Sequence, residues 1–447
     1  MSGFFALFNS RLHYKFIPEI SSMGLLANLP ITSPPLWLLL PFCVLLLALA
    51  AGPLVASHFW EKAHPWIICL LGAVPVVYYL AVFRAGSAYL HVLEEYASFM
   101  IVIGSLFVVA GGVDLQVKGK SKPWTNVLFL LAGAILGNVI GTTGASMLLI
   151  RPWIQVNKSR FSPLHVVFFI FVVSNIGGAL TPMGPPLFMG YIKGVPFWWG
   201  VIHCWLGWLV SLALTLTLFY LLDRRNFLAI PRSIPAKGAD EEKWRAGGLH
   251  HLLFMGAILI AIIFVKAPYR EGIMLASGLL SYFTASKEIH RRNHFSFAPI
   301  REVGWIFLGI FATMKPMLDA MELHAGELGL HSDAQFYWYS GVLSGFLDNA
   351  PTYLTFLAAA FGLNHLALDD PASMSVFLAQ HGHYLVAISL GSTCFGALTY
   401  LGNGPNLMVK SICDHASLPT PHFFSYIFRY SLPLLIPIFV LVSWLFF

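Results

Sequence analysis

Apolar runs of about 20 residues recur along almost the whole chain, and short polar stretches separate them. Each run is long enough to cross the hydrocarbon core of a bilayer as an α-helix. We place these segments at 36–56, 64–84, 97–115, 124–150, 163–190, 197–222, 249–266, 271–285, 303–319, 335–361, 383–407 and 426–446. The pattern predicts an all-α polytopic membrane protein with about 10–12 transmembrane segments.

The composition agrees with this fold class. Of the 447 residues, 57% are hydrophobic and 10% are charged, whereas soluble domains carry about 25% charged residues. The stretch Met1–Ile31 is mixed in character and has no cleavable signal pattern. The net charge of +6 comes from basic residues in short loops, so we expect no nucleic-acid partner. The five cysteines are scattered singly and predict no metal site.

The charges of the loops orient the first half of the chain. The stretches Asp223–Arg245 and Lys287–Arg301 are rich in Lys and Arg, which the positive-inside rule places in the cytoplasm. Counting back through the spans puts Arg151–Arg160 and Lys118–Lys122 on the same side. The segment 124–150 therefore begins and ends at the cytoplasmic face. We predict a re-entrant helical hairpin, whose tip must line a cavity.

The second half gives the mirror image. The loops Glu322–Asp333 and Asn364–His383 contain acidic residues but no Lys or Arg, so we expect both outside. The segment 335–361 between them begins and ends outside. The sequence thus predicts a second re-entrant hairpin that enters from the opposite face.

Each predicted hairpin precedes a span with an interrupted middle, at 163–190 and at 383–407. Both spans contain G-A-L-T-x-x-G followed by Pro, at Gly178–Gly184 and at Gly396–Gly402. Gly and Pro break a helix and free its backbone polar groups. Paired interruptions in two oppositely oriented halves indicate a transport site at the membrane midplane.

The repeat also divides the chain. We assign N-terminal helices to 1–93, a first repeat to 94–222, cytoplasmic loops with two linking helices to 223–302, and a second repeat to 303–447.

The second hairpin tip holds the most informative residue. Asp348 is a carboxylate near the predicted membrane centre, where an ionisable group is expensive and normally faces a cavity. A single carboxylate that holds either a proton or a cation would exchange the two. Asp is also a good N-cap, and Asp348 could cap the half-helix that starts near Pro351.

Amide and hydroxyl side chains cluster at the same interruptions, and oxygen ligands suit a hard cation such as Na⁺. The predicted ion- and proton-binding residues are Asp348, Asn349, Thr352, Asn138, Thr142, Thr143, Ser146, Asn175, Thr181, Thr399, Asn403 and Asn406. Each amide or hydroxyl taken singly could equally serve helix packing. Glu95 and Lys315 are auxiliary candidates, although Lys315 could simply pair with Asp319 one helical turn away.

Several stretches between residues 94 and 410 resemble the ion-transporter superfamily, and most closely its NhaD-type bacterial sodium/proton antiporters. The shared motifs are Glu95–Phe99, Val109–Gly112, Gly141–Pro152, Ser174–Gly178, Thr181–Gly190 and Phe346–Thr352. The resemblance implies an inverted-repeat fold, a homodimer with an elevator-like movement, and a multi-pass location in a bacterial inner membrane.

Two departures accompany this resemblance. The antiporters have an acidic residue before a Pro-Pro pair, whereas Gly184 here runs directly into Pro185. Citrate and dicarboxylate relatives carry a Ser-Asn-Thr triplet at both hairpin tips, and this chain has it at neither. The second departure counts against a carboxylate substrate.

These observations lead to a functional expectation. We expect a secondary antiporter that exchanges Na⁺ or Li⁺ for H⁺, with no cofactor beyond the transported or coupling Na⁺. The alternative is a sodium-coupled citrate- or dicarboxylate-like anion transporter, or an arsenite-like one, from the same superfamily. We expect no enzymatic activity, because the sequence offers no nucleophile–base pair or metal-binding spacing.

Overall fold

A computed structural model describes residues 33–447 except 56, 117–120, 230–244 and 293–294. The stretch Met1–Ile31, discussed above for its lack of a signal pattern, lies outside the described residues. The helices are α1 (Leu40–Val55), α2 (Ser57–Ala81), α3 (Gly86–Gly111), α4 (Pro123–Asn157), α5 (Pro163–Val172), α6 (Pro185–Ile192), α7 (Trp199–Ala229), α8 (His251–Phe264), α9 (Tyr269–Thr284), α10 (Lys287–Arg292), α11 (Ala298–His324), α12 (Asp333–Phe346), α13 (Asn349–Leu363), α14 (Pro371–Gln380), α15 (Gly382–Cys394), α16 (Gly404–His415) and α17 (Phe423–Phe446).

The fold class predicted from the sequence is confirmed. Within the described residues, six helices are long and apolar enough to cross a membrane. They lie at Lys62–Ala81, Gly86–Gly111, Pro123–Asn157, Trp199–Ala229, Ile300–Leu328 and Phe423–Phe446. Two three-residue strands, β1 (Asp114–Gln116) and β2 (Arg245–Gly247), pair antiparallel beside the helices. The protein is thus an all-α, multi-pass integral membrane protein with one small added ribbon.

Helix α4 folds back on itself at Gly141. As a straight helix its 35 residues would be about 52 Å long. Instead the rings of Phe129 and Trp153 lie 5.2 Å apart, and Asn126 Nδ2 donates to Asn157 Oδ1 at 2.8 Å. Both pairs are centred on Gly141, whose φ of 75° and ψ of 156° interrupt the helix. This segment forms a helical hairpin; that both of its ends face the cytoplasm stays a prediction.

Helices α12 and α13 form the second hairpin. Leu347 and Asp348 separate them, and the rings of Phe336 and Phe356 meet at 6.4 Å from opposite arms. Ser332 caps the first arm in a reciprocal capping box with Gln335. The two arms extend from Asp333 to Leu363, slightly beyond the predicted 335–361.

The two interrupted spans are broken where Gly and Pro predicted. Helix α5 ends at Val172 and α6 begins at Pro185, with a 3-10 turn at Ile176–Gly178 between them. Helix α15 ends at Cys394 and α16 begins at Gly404, with a matching 3-10 turn at Phe395–Leu398. Helix α5 is apolar all round, and its residues 166–172 are completely buried, which suits the centre of the protein.

The loops gather at two opposite ends of the molecule. The basic end contains β1, β2, the base of the first hairpin and the end of α7. Arg160, just after the hairpin, pairs with Asp223 of α7 and so joins the two. The acidic end contains the loops after α6, α8, α11 and α13. There the Leu368 N–H donates to Glu322, and His383 contacts Asp333 at 2.6 Å. The described parts of the predicted cytoplasmic loops therefore share one end, and the predicted outer loops share the other.

Several predicted loops contain helix instead, among them Lys287–Arg301, which holds α10 and the start of α11. Helix α7 continues through Asp223 to Ala229, and the carboxylate of Asp223 is completely buried against Arg160. Helix α4 runs on to Asn157 through much of the predicted loop 151–160. The predicted loop 364–383 holds α14, whose N-cap Asp370 accepts hydrogen bonds from the Ala372 and Ser373 N–H groups.

Candidate functional site

A cavity of about 440 Å³, including its open mouth, lies where the hairpin tips and the broken helices meet. Most of its lining is apolar, and its polar side chains are Thr143, Asp348 and Asn403. The described residues that line it are Ile103, Phe107, Thr143, Pro185, Ile300, Val303, Phe307, Asp348, Asn403, Gly404, Pro405 and Met408. An apolar pocket with a few converging polar groups is the usual form of a small-molecule site.

Four helix N-termini converge on this region. Helix α6 begins at Pro185, α13 begins after Asp348, and α16 begins after Asn403, and these three positions line the cavity. The second arm of α4 begins after Gly141 and borders an adjoining cavity of about 280 Å³, including its open mouth, which also contacts Thr143 and Pro185. The unpaired N–H groups and the partial positive charge of helix N-termini attract anions.

Asp348 is both a helix cap and a cavity residue. Its side chain accepts a hydrogen bond from the Ala350 N–H at 3.1 Å, which confirms the N-cap interpretation. The backbone carbonyl of Asp348 accepts from the Thr352 hydroxyl at 3.0 Å. The cap and the cavity are compatible, because a carboxylate has two oxygens and can serve the helix with one of them.

Three asparagines join the two broken helices at the centre of the protein. Asn175 Nδ2 donates to Asn406 Oδ1 at 2.8 Å, and Asn403 Nδ2 donates to the Ser174 carbonyl at 2.7 Å. Asn406 also donates to the Gly396 carbonyl at 2.8 Å. We call Asn175, Asn403 and Asn406 the asparagine junction. It satisfies backbone carbonyls that the breaks expose, and only Asn403 also reaches the cavity lining.

Glycine permits the close approach at this junction. A Cβ at Gly396 would lie 2.2 Å from Asn349 Oδ1 and 2.7 Å from Asn175 Oδ1. The Asn349 amide itself is within hydrogen-bonding distance of the Ser344 hydroxyl, at 2.5 Å, and of the Ser392 carbonyl, at 3.1 Å. Asn349 thus ties the second hairpin to the second broken helix from a buried position.

The first hairpin and the first broken helix are joined in a similar way. Asn138 Oδ1 accepts from the Leu180 N–H at 3.0 Å, and its carbonyl accepts from the Thr181 hydroxyl at 2.5 Å. Ser146 and Ser174 share a hydroxyl hydrogen bond of 2.8 Å. These candidates hold the hairpin tip against the break.

Of the remaining threonines, one binds the backbone of the second break and two border the cavities. Thr399 Oγ1 accepts from the Leu401 and Gly402 N–H groups and so shapes the second break. Thr142 is buried against Gly178 and borders the smaller cavity, whereas Thr143 lines both cavities. Among the predicted residues, Thr143, Asp348 and Asn403 are therefore the ones that line the main cavity.

The auxiliary candidates lie elsewhere. Glu95 and Lys315 belong to a group of ion pairs at the acidic end, away from the lining residues of the main cavity. The Lys315–Asp319 pair expected from their spacing is present, with Nζ 2.7 Å from the carboxylate.

Sequence reasoning missed several buried polar residues. The Ser344 hydroxyl donates to the Ser392 carbonyl, and Ser174 shares a hydroxyl hydrogen bond with Ser146, so Ser344 and Ser174 join the hairpins to the broken helices. Single serines in apolar segments give little signal. Asp223 is the more informative omission, because it binds Arg160 and lies 3.3 Å from His165 in a completely buried position. A charge in the last turns of an apolar helix is the signal that could have indicated such a partner.

The fold and the cavity define a class of protein. Broken helices and helical hairpins that surround a central cavity are the architecture of secondary transporters. A family model named CitMHS_2 and described as "Putative citrate transport" matches residues 31–447, and the chain belongs to this family. A search of the curated proteins found no match.

Membership of this family bears on the choice between cation/proton antiport and citrate transport. Its description favours the citrate alternative over cation/proton antiport. The particular likeness to NhaD-type antiporters is not confirmed. The absent Ser-Asn-Thr triplets do not prevent membership of this family. Hydroxyls and amides occur near both tips at other positions, among them Thr143 and Asn349.

Proposed function

We propose that this protein is a secondary active transporter for citrate-like carboxylate anions, coupled to a cation or proton held by Asp348. The observation that carries the proposal is the convergence of four helix N-termini on cavities that share Thr143 and Pro185. No Lys or Arg is among the described residues that line either cavity. The helix N-termini therefore provide the attraction for a carboxylate.

Asp348 provides the coupling in this proposal. An ionised carboxylate beside a bound anion is repulsive, and in a poorly solvated cavity the repulsion is strong. A proton or a Na⁺ ion at Asp348 removes the repulsion. The anion then binds only together with a cation, which is the requirement for symport. Thr143 and the free oxygen of Asn403 would orient the bound groups.

Exchange of Na⁺ or Li⁺ for H⁺ is the second candidate function. The same carboxylate supports it, because Asp348 can hold either a proton or a metal cation together with neighbouring oxygen ligands. The two functions differ in their requirement for an anion. Antiport proceeds without citrate, whereas symport stops without it.

We further propose a location in a bacterial plasma membrane and a homodimeric state. Both rest on the superfamily resemblance, and the loop charges predict that the basic end faces the cytoplasm. Chemical cross-linking of the purified protein in detergent and in liposomes would test the dimer.

The deciding experiment uses proteoliposomes that contain a pH-sensitive dye. Radiolabelled citrate uptake and internal pH are followed with an imposed gradient of Na⁺, Li⁺, K⁺ or H⁺. We expect citrate uptake driven by Na⁺ or H⁺, and its loss in Asp348→Asn. The matched control is Glu327→Gln, which neutralises an exposed carboxylate at the acidic end.

The alternative outcomes are distinct. A pH change driven by Na⁺ or Li⁺ in the absence of citrate, and lost in Asp348→Asn, would establish antiport and overturn the proposed anion transport. Coupled citrate uptake that survives in Asp348→Asn would reduce Asp348 to a helix cap.

A further inference from the structure

The main cavity approaches the basic end of the molecule. Its lining residues on α11 are Ile300, Val303 and Phe307, from the first turns of a helix that starts at the basic end. On α16 the lining continues from the centre towards the basic end as far as Met408. The cavity therefore lies in the half of the protein that the loop charges assign to the cytoplasm.

A seam between α3 and α6 separates the cavity from the acidic end. Ile103 on α3 and Pro185 on α6 line the cavity. One turn further towards the acidic end, the rings of Phe99 and Phe188 are buried against each other, 6.2 Å apart. Glu95 lies two turns from Ile103 on the same face of α3, because positions four apart on a helix share a face.

Lys193 closes the outer limit of this seam. It caps the C-terminal end of α6, and its Nζ lies 2.7 Å from Glu95 and 2.6 Å from Asp369. Only 6% of the Lys193 side chain is exposed. Asp369, on the loop after the second hairpin, also contacts Lys315 of α11 at 3.4 Å. A single ammonium group thus connects the first broken helix, α3 and the second hairpin.

The positive charge of Lys193 lies between the negative charges of Glu95 and Asp369. Burial alone would disfavour the ammonium, but Glu95 and Asp369 raise the pKa of Lys193 above its usual value. His91, Glu95 and Asp369 approach one another closely enough to suggest a metal site. Lys193 already supplies the positive charge at that position, so a lysine-centred lock fits better than a metal site.

The end of α6 is also held from a second side. Tyr191 donates to the Ile262 carbonyl at 2.5 Å, and Arg270 donates to the Tyr191 hydroxyl at 3.3 Å. The half-helix whose N-terminus meets the cavity is therefore attached at its other end to α3, α8 and α9. Any path from the cavity to the acidic end along the seam requires these contacts to separate.

We propose that Lys193, Glu95 and Asp369 form the outer gate of the transporter, and that the structure is the state in which the cavity faces the cytoplasm with this gate closed. The inference rests on the proposed function only in that the protein transports a solute. Opening to the outside breaks the two Lys193 ion pairs and separates Phe99 from Phe188. Weakening the gate should shift the population towards the outward-open state.

The test is a cysteine-accessibility measurement that requires no substrate. Ile103→Cys, in a background with Cys43→Ser and Cys69→Ser, reports on the cavity side of the seam. A membrane-impermeant maleimide is applied to right-side-out and to inside-out vesicles. With the gate intact, we expect residue 103 to react from the cytoplasmic side and to be protected from the outer side.

Removing the charge of Lys193 should allow the maleimide to reach residue 103 from the outer side. Lys193→Met should raise the outer labelling rate about tenfold, the shift that about 1.4 kcal/mol produces in a two-state equilibrium. Lys193→Arg keeps the charge and should retain the protection. Lys158→Met removes an exposed lysine at the basic end and serves as the matched control. Elution profiles and melting curves identify variants that fold.

If Lys193→Met does not fold, Asp369→Asn is the second variant. Asp369 is half-exposed on a loop, and its substitution removes one of the two ion pairs of Lys193. Unchanged outer labelling in the folded variants would overturn the gate. Labelling of the parent from the outer side alone would overturn the assigned state. Since neither reading uses citrate, the failure of citrate transport would leave this test interpretable.

Discussion

At the scale of single residues, Asp348 combines a structural and a proposed functional task, and the two can be separated by substitution. Asn is as good an N-cap as Asp, whereas Ala caps poorly. We therefore expect Asp348→Asn to melt at the wild-type temperature and Asp348→Ala to lose about 1 kcal/mol of stability. Both variants should lose coupled uptake by at least about tenfold, equivalent to about 1.4 kcal/mol.

Thermal unfolding in detergent and uptake in liposomes would measure the two effects of Asp348. Equal destabilisation of the Asn and Ala variants would contradict the capping role. Retained uptake in the Asn variant would contradict the coupling role.

The asparagine junction gives a second prediction at this scale. Asn406→Ala leaves the carbonyls of Gly396 and Thr399, both buried, without the amide that donates to them. An unsatisfied buried polar group costs about 1–3 kcal/mol, so the free energy of unfolding should fall by at least that amount. Denaturant titration would measure it. Asn364→Ala, which removes a hydrogen bond within one helical turn, is the control and should have a smaller effect.

At the scale of elements, the hairpin tips depend on backbone conformations that one residue type tolerates. Gly141 adopts φ 75° and ψ 156°, and a Cβ there would lie 2.5 Å from the Met183 carbonyl oxygen. Such a conformation costs a residue other than glycine about 1–3 kcal/mol. We expect Gly141→Ala to lower the melting temperature and to reduce uptake, because the second arm of α4 would shift from the cavity.

The control for that change lies three residues away. A Cβ at Gly144 would meet Ile140 at 3.5 Å, an ordinary contact on a regular helix. Gly144→Ala should therefore be neutral or slightly stabilising. Equal losses in both variants would show that the tip tolerates no side chain anywhere, rather than requiring a special conformation at Gly141.

The elements also show how far the sequence alone could reach. Gly and Pro at Gly178–Gly184 and Gly396–Gly402 predicted both breaks, because these residue types act locally on the backbone. The loop predicted at 364–383 overlooked α14, although Asp370 followed by Pro371 is a helix-start signal. The sequence did not identify contact partners that are distant along the chain. Asn138 binds the Leu180 backbone, and Arg160 buries Asp223, only because the folded chain brings them together.

At the scale of the whole molecule, the base of the first hairpin is fixed to α7 by a buried ion pair. Asp223 is completely buried and contacts Arg160 twice, with the second contact at 2.7 Å. Removing one partner of a buried pair leaves an uncompensated charge, at a cost of about 3–5 kcal/mol. We expect Arg160→Met to destabilise the protein strongly, and the double variant Arg160→Met with Asp223→Leu to recover part of that loss.

Melting curves of the single and double variants form the measurement, with Lys158→Met as the exposed control at the same end. A single variant as stable as the wild type would show that the pair is not required to fix the hairpin. A double variant less stable than Arg160→Met alone would indicate a separate role for the Asp223 side chain.

Among the described residues that line the cavity, Asp348 is the single carboxylate, and this has an electrical consequence. Because the asparagine junction is made of neutral amides, membrane voltage acts at the cavity itself on Asp348 and on the ions that the cavity holds. One elementary charge crossing 100 mV exchanges about 2.3 kcal/mol. A carrier that returns empty with Asp348 ionised moves a negative charge, whereas a return with Asp348 protonated is electrically silent. For transport coupled by this residue, the voltage sensitivity of turnover therefore reports whether the empty carrier returns with a proton.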